Sequence, residues 1–217
     1  NRLSVELRQP AFLEGRTTGL VSANYNIYPL LFPLPDGKDP ATERILGYHE
    51  IRGTLGVERG FFDLRVLLAP RLSLQTNVPV AYQRAADGTA IPDGLKTLRI
   101  LYPELTSSLD LRDDRIEPHR GILLQNTLEV AIPKQSPAFV GDVRIRPEIR
   151  AYVPVSKRSV LATRLGFGFL FPMNYGESLT SNLLGLAADP TDPQVVSDQQ
   201  KLLFRAFYSG GPNSNRG

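Results

Sequence analysis

The sequence predicts an all-β protein, an antiparallel transmembrane β-barrel, and three observations carry that prediction. Apolar and polar residues alternate over long stretches. Those stretches run about nine to fourteen residues or more, the reach a tilted strand needs to cross a bilayer. Long connections also alternate with shorter ones, as between the two rims of an outer-membrane barrel. About eight strands can be counted this way, with no credible amphipathic helix among them. The 217 residues are therefore read as part of one barrel domain.

Residues Asp142 to Val155, DVRIRPEIRAYVPV, show the alternation best. Val143, Ile145, Pro147, Ile149, Ala151, Val153 and Val155 share one face, opposite Asp142, Arg144, Arg146, Glu148, Arg150 and Tyr152. Successive side chains of a strand point to opposite faces, so one face is wholly apolar and the other charged. In ILLQNTLEVAI, Ile122, Leu124, Leu128, Val130 and Ile132 oppose Gln125, Thr127 and Glu129, and Asn126 interrupts the apolar row. In VLATRLGFGFLF, Leu161, Leu165, Phe167, Phe169 and Phe171 oppose Ala162, Arg164, Gly166 and Gly168. That strand is rich in aromatics on one side and small on the other.

Upstream, ELTSSLDLR sets Leu105, Leu109 and Leu111 against Thr106, Ser108, Asp110 and Arg112. FFDLRVLLAPRLSLQTNVPVAY reads as one very long strand or two collinear ones, with Phe62, Leu64, Val66, Leu68, Leu72, Leu74, Val78 and Val80 on its apolar face. EIRGTLGVE, GLVSANYNIY and RLSVELR continue the pattern more weakly. Prolines 70, 79, 147 and 154 cannot donate to a ladder, so bulges or strand ends are expected at them. Tight or short turns are expected at residues 59–60, 10–16 and 156–158, and long loops at Leu30 to Leu46, Gln83 to Lys96 and Pro172 onward. The long loops are assigned to the outside of the cell.

A soluble antiparallel sandwich also alternates. Its strands are usually about five or six residues long, and so many consecutive long strands with a charged face fit a wet lumen better. Composition narrows the function classes. With 25 basic and 22 acidic side chains the formal charge is +3 and mixed along the chain, which gives nucleic acid no patch to bind. No cysteine is present, which removes disulfides, thiolate metal sites and cysteine nucleophiles. The histidines, His49 and His119, have no ligand spacing, and Asp113 and Asp114 read as a solvated turn pair. No catalytic residue, metal site or cofactor is expected. The lumenal row Arg144, Arg146, Glu148, Arg150 and Arg164 reads mainly as a solvated wall.

The chain ends in FYSGGPNSNRG. Phe207, Tyr208, Ser209, Gly210, Gly211, Ser214, Arg216 and Gly217 resemble the sixth-loop motif of the outer-membrane assembly and translocation barrels of the BamA and TamA type, the bacterial surface antigen family. Asn215 stands where an aliphatic residue is usual. A second stretch, LDLRDDRIEPHRGILLQNTLEVA, resembles that family's strand, turn and strand through Asp110, Arg112, Asp113, Pro118 and Gly121. The likeness covers residues 98–217 well, and residues 1–97 only as alternating strands.

The resemblance implies a partial barrel, about the fourth to eleventh strands of sixteen. POTRA domains, the first strands and the closing strands would then lie outside these residues, and the start at Asn1 is read as a cut. It also implies a bacterial outer-membrane location and a role in inserting or translocating other proteins, without enzymatic chemistry. The implied partners are outer-membrane lipids and unfolded client outer-membrane or secreted proteins, with accessory lipoproteins or periplasmic factors beside them. Arg216 would act as a latch, holding the loop inside the barrel through an acidic partner beyond residue 217. A passive diffusion channel is the other membrane reading.

Overall fold

The computed structural model describes residues 2–31, 45–81, 95–133, 138–156, 158–180 and 192–207. Its strands are β1 (Arg2–Gln9), β2 (Thr17–Leu31), β3 (Ile45–Phe61), β4 (Val66–Ala81), β5 (Leu98–Asp110), β6 (Gly121–Ala131), β7 (Asp142–Ser156), β8 (Ser159–Gly166) and β9 (Phe169–Pro172). They form a single antiparallel sheet in sequence order from β1 to β8, with β9 also paired to β7. From β1 to β8 every neighbour in space is a neighbour in sequence, which is the meander of an up-and-down barrel and not the two stacked layers of a sandwich. The open sheet is a partial β-barrel.

The two faces differ as the alternation predicts, and the burial is inverted relative to a water-soluble core. Leu3, Val5, Leu7, Ile51, Leu55, Leu72, Leu74, Val153, Leu161, Leu165 and Phe171 are exposed on the outer face. Glu50, Ser73, Gln75, Asn77, Glu129 and Asp142 are buried on the inner one. Each buried polar group there needs partners. Glu50 accepts from Asn26 at 2.9 Å and from Gln75 at 3.0 Å, and pairs with Arg52 at 3.1 Å.

The prolines act largely as expected. Pairing between β3 and β4 lapses between Gly56↔Arg71 and Arg59↔Leu68, at Pro70, without a change of register. The β7–β8 register shifts between Pro154 and Ser156. Pro147 accepts from the Phe167 amide at 3.0 Å but has no N–H to return. The ladder breaks there, and what reads in sequence as one strand becomes β8 and β9, still in one register with β7. Pro79 stays paired with Tyr48, two residues past the end of the β4–β5 pairing at Asn77↔Leu98.

Two expectations are corrected. The tight turn between β3 and β4 lies not at residues 59–60 but at Phe62–Arg65, where Phe62, Asp63 and Leu64 take left-handed φ values of 51°, 54° and 67°. Phe62 and Leu64 extend the apolar alternation in sequence, so periodicity runs straight through a turn made without glycine. The second correction concerns helices. Among the described residues, two follow β9: the single turn α1 (Glu177–Thr180) and α2 (Pro193–Arg205). Val195, Val196, Leu202 and Leu203 lie at helical spacing, a signal that the strand alternation on either side obscures, while the fully buried residues of α2 are mostly polar: Asp198, Gln200, Lys201 and Arg205 beside Val195.

Candidate functional site

Helix α2 begins with a readable signal. Asp192 sits in extended backbone as the N-cap and accepts from the Gln194 amide at 2.8 Å, and Pro193 follows in the first turn. Proline at that position loses no helical hydrogen bond. The helix ends on Arg205, a cation at the negative end of the helix dipole.

The inner wall is prepared for α2 at the long-loop end of the strands. On β5, Leu98, Ile100 and Tyr102 point inward, where other strands place polar groups. With Ala131, Val140 and Tyr175 they form a small apolar cluster, and Leu202 and Phe204 of α2 pack against it. The Phe204 ring meets Tyr48 of β3 edge to face, centroids 4.8 Å apart. Gln200 bonds both backbone groups of Lys96, donating to its carbonyl at 2.8 Å and accepting from its amide at 3.3 Å. Asp198 turns the other way and accepts from the Gly176 amide at 2.9 Å and the Ser178 hydroxyl at 2.8 Å.

Arg205 makes the strongest of these contacts. Its guanidinium, 2% exposed, donates to Asp142 of β7 through Nε at 2.9 Å and Nη2 at 2.6 Å, and through Nη1 to Glu129 of β6 at 3.0 Å. A planar fork suits a bidentate carboxylate, and charge assistance makes such bonds the strong ones. Tyr175 adds a donor to Asp142 at 2.9 Å, and the Tyr102 ring lies 5.3 Å from the Arg205 guanidinium. Glu129 is shared, because Arg144 at 3.1 Å and Arg146 at 2.9 Å hold it from the wall. The arrangement is an anchor: it can hold a returning segment against the wall, and it presents no nucleophile, base or open carboxylate to a substrate.

The expected lumenal row thus divides. Arg144 and Arg146 join the anchor through Glu129, while Glu148 pairs with Arg150 at 2.6 Å and Arg164 at 2.7 Å farther down the wall. Among the described residues these side chains are paired, not singly solvated. Of the loop motif, Phe207 is described, with its ring 4.6 Å from the Arg144 guanidinium. Tyr208, Gly210, Gly211, Ser214, Arg216 and Gly217 lie outside the described residues. Arg205, Asp142, Glu129, Tyr175 and Asp198 carry the anchor, and sequence reasoning singled out none of them for it. Two signals could have pointed there: Asp192-Pro193 as a helix start, and the helical spacing of Val195, Val196, Leu202 and Leu203.

The turn motif comes together as a unit at the opposite end of the sheet. Asp110 holds Arg112 bidentately at 2.8 and 2.7 Å. Asp113 accepts from the amides of Arg120 at 3.1 Å, His119 at 3.0 Å and Asp114 at 3.0 Å. The Arg120 amide foremost, then those of His119 and Asp114, hold its carboxyl below the ordinary carboxylate range. Asp114 is likewise held low by the Glu117 and Ile116 amides. Gly121 closes the Pro118-x-x-Gly turn at φ +109°, where a Cβ would run into the Leu111 carbonyl. Only glycine fits that place.

A single sheet with an apolar outer face, a polar inner face and a segment returned to that inner face is the geometry on which the comparisons bear. No curated protein matches the chain. The model of the Omp85 superfamily domain matches residues 3–217. This is a superfamily of outer-membrane barrels that act on other proteins, and the chain belongs to it.

Proposed function

We propose that the protein inserts or translocates other proteins at the bacterial outer membrane, as a barrel of the BamA and TamA type. The observation that carries this reading is the return of the segment after β9 to the inner wall, where Arg205 meets Asp142 and Glu129 and delivers Phe207, the first residue of the loop motif, to Arg144. A loop held inside by a helix with its own apolar seat is a built part of the lumen. In this reading the outer face meets lipid, the long loops face outward, and Arg216 extends the same anchoring one step farther along the loop. No catalytic residue or cofactor is required. The work is done by a weakly closed seam, whose unpaired strand edge templates an incoming client strand by β-augmentation. The strands β1–β9 supply the wall and the anchor, and the seam strands belong to the rest of the barrel. Clients are unfolded outer-membrane or secreted proteins, with lipoproteins or periplasmic factors as accessory partners.

The test uses the full-length protein in liposomes and measures insertion of an unfolded client barrel by the intact form and by Arg216→Ala. Loss of insertion with the barrel still folded supports an assembly machine with a latch at this loop. No insertion by either form, beside steady ion conductance from both, overturns it in favour of a passive diffusion channel.

A further inference from the structure

The gap between β8 and β9 is a place where two separate sequence features meet. Gly168 lies in that gap, in register opposite Arg146 because Glu148↔Gly166 and Ile145↔Phe169 share one register. It belongs to the small inner face of the GFGF stretch. A Cβ built on Gly168 would stand 2.7 Å from two ring carbons of Phe207 and 2.9 Å from a third. Real side chains essentially never approach so closely, so the ring occupies the space that the absent side chain leaves. The Arg144 guanidinium lies 4.6 Å from the centroid of the same ring, and Arg144 is itself fixed by Glu129 at 3.1 Å. A guanidinium held in place near an aromatic ring adds a cation–π attraction to the contact. Phe207 stands two residues after Arg205, so the anchor brings the ring to this wall.

We propose that Gly168 and Arg144 form an aromatic seat on the inner wall, whose role is to position Phe207 and with it the Ser-x-Arg-Gly segment that follows. Both are positioning residues. The small face of the strand has a partner on this account: Gly168 is small because a ring from the returning loop fills its place. The functional consequence rests on the assembly reading above, while the seat itself does not.

The experiment places a single reporter cysteine at Ser209→Cys in an otherwise cysteine-free form of the full-length protein and follows its labelling by a membrane-impermeant maleimide. Gly168→Phe evicts the Phe207 ring, and the labelling rate is expected to rise about tenfold, the scale of a lost ring contact with its cation–π attraction. Phe207→Ala, which leaves the wall untouched, should raise it comparably. The exchanged pair Gly168→Phe with Phe207→Gly puts a ring back into the same space from the wall side and should return the rate to within about twofold of the parent. An unchanged rate in both single variants, each folded by its gel mobility before and after heating, overturns the seat. So does a double variant that labels as fast as the singles. Client insertion measured on the same samples separates the two readings: faster labelling with undiminished insertion keeps the seat and overturns the role of the loop in assembly.

Discussion

Two carboxylates on the inner wall, Glu129 on β6 and Glu148 on β7, are each bracketed by wall arginines, and they do different things. Glu129 is held by Arg144 and Arg146, and its side chain is 5% exposed because α2 lies over it and adds Arg205. Glu148 is held by Arg150 and Arg164 and stays more open to water, its side chain 20% exposed and that of Arg164 56%. The pairings are nearly the same in distance. Their weight is set by water. A screened pair contributes at most about 1 kcal/mol, whereas breaking a buried one leaves a charge that nothing else solvates and costs about 3–5 kcal/mol. A row of alternating charges in a barrel strand is thus two kinds of object, and the difference comes from a helix about sixty residues away in sequence.

The largest effect that would break this comparison is at Asp142, fully buried beneath α2. Asp142→Asn keeps the volume but leaves Arg205 without its bidentate partner, and α2 should undock at a cost of about 3–5 kcal/mol. Trypsin reports this directly. Lys201 and Arg205 are buried in the docked helix and should become cleavable. Full resistance of the folded variant would mean that the apolar cluster around Leu98 and Ile100 holds the helix alone.

Glu129→Gln should cost less, about 2 kcal/mol, because Asp142 still holds Arg205 while three charge-assisted bonds are weakened. The same trypsin assay should show partial cleavage. Glu148→Gln sharpens the contrast: its expected effect is below about 1 kcal/mol, with α2 still protected and only a small shift in the temperature at which the barrel unfolds. Equal losses from the two glutamates would show that burial by α2 does not separate them.

The smallest effect lies in the exposed turn between β5 and β6. The Asp113 carboxyl is depressed by the Arg120, His119 and Asp114 amides, so its contribution is present above the ordinary carboxylate range and is lost as pH falls through its lowered value. Hydrogen exchange at the His119 and Arg120 amides should stay slow through that ordinary range and speed up only below it. Exchange that quickens already within the ordinary range would remove Asp113 as the organiser of the turn.

The alternation of DVRIRPEIRAYVPV, the aromatic and small faces of VLATRLGFGFLF and the order of strands were legible in the chain because they are local. Side chains two apart share a face whatever lies beyond, and a meander needs no long-range choice of partner. The Pro118-x-x-Gly121 turn was legible for the same reason, its contacts lying within a dozen residues. The turn at Phe62–Arg65 was not, since its left-handed residues carry side chains that continue the apolar pattern.

The site could not be read so directly. Arg205 and Asp142 are 63 residues apart, and each looks like an ordinary charge until the fold joins them. Helix α2 escaped because its apolar stripe, Val195, Val196, Leu202 and Leu203, is short and interrupted by Gln199, and most of the residues it fully buries are polar. By itself the sequence determined most of the strands, their faces and the Pro118-x-x-Gly121 turn, through covalent geometry and local sterics. Only the tertiary structure decided which charges are buried, which glycine faces a ring and where the returning segment rests. Those depend on which surfaces exclude water from one another, and that is a property of the assembled wall.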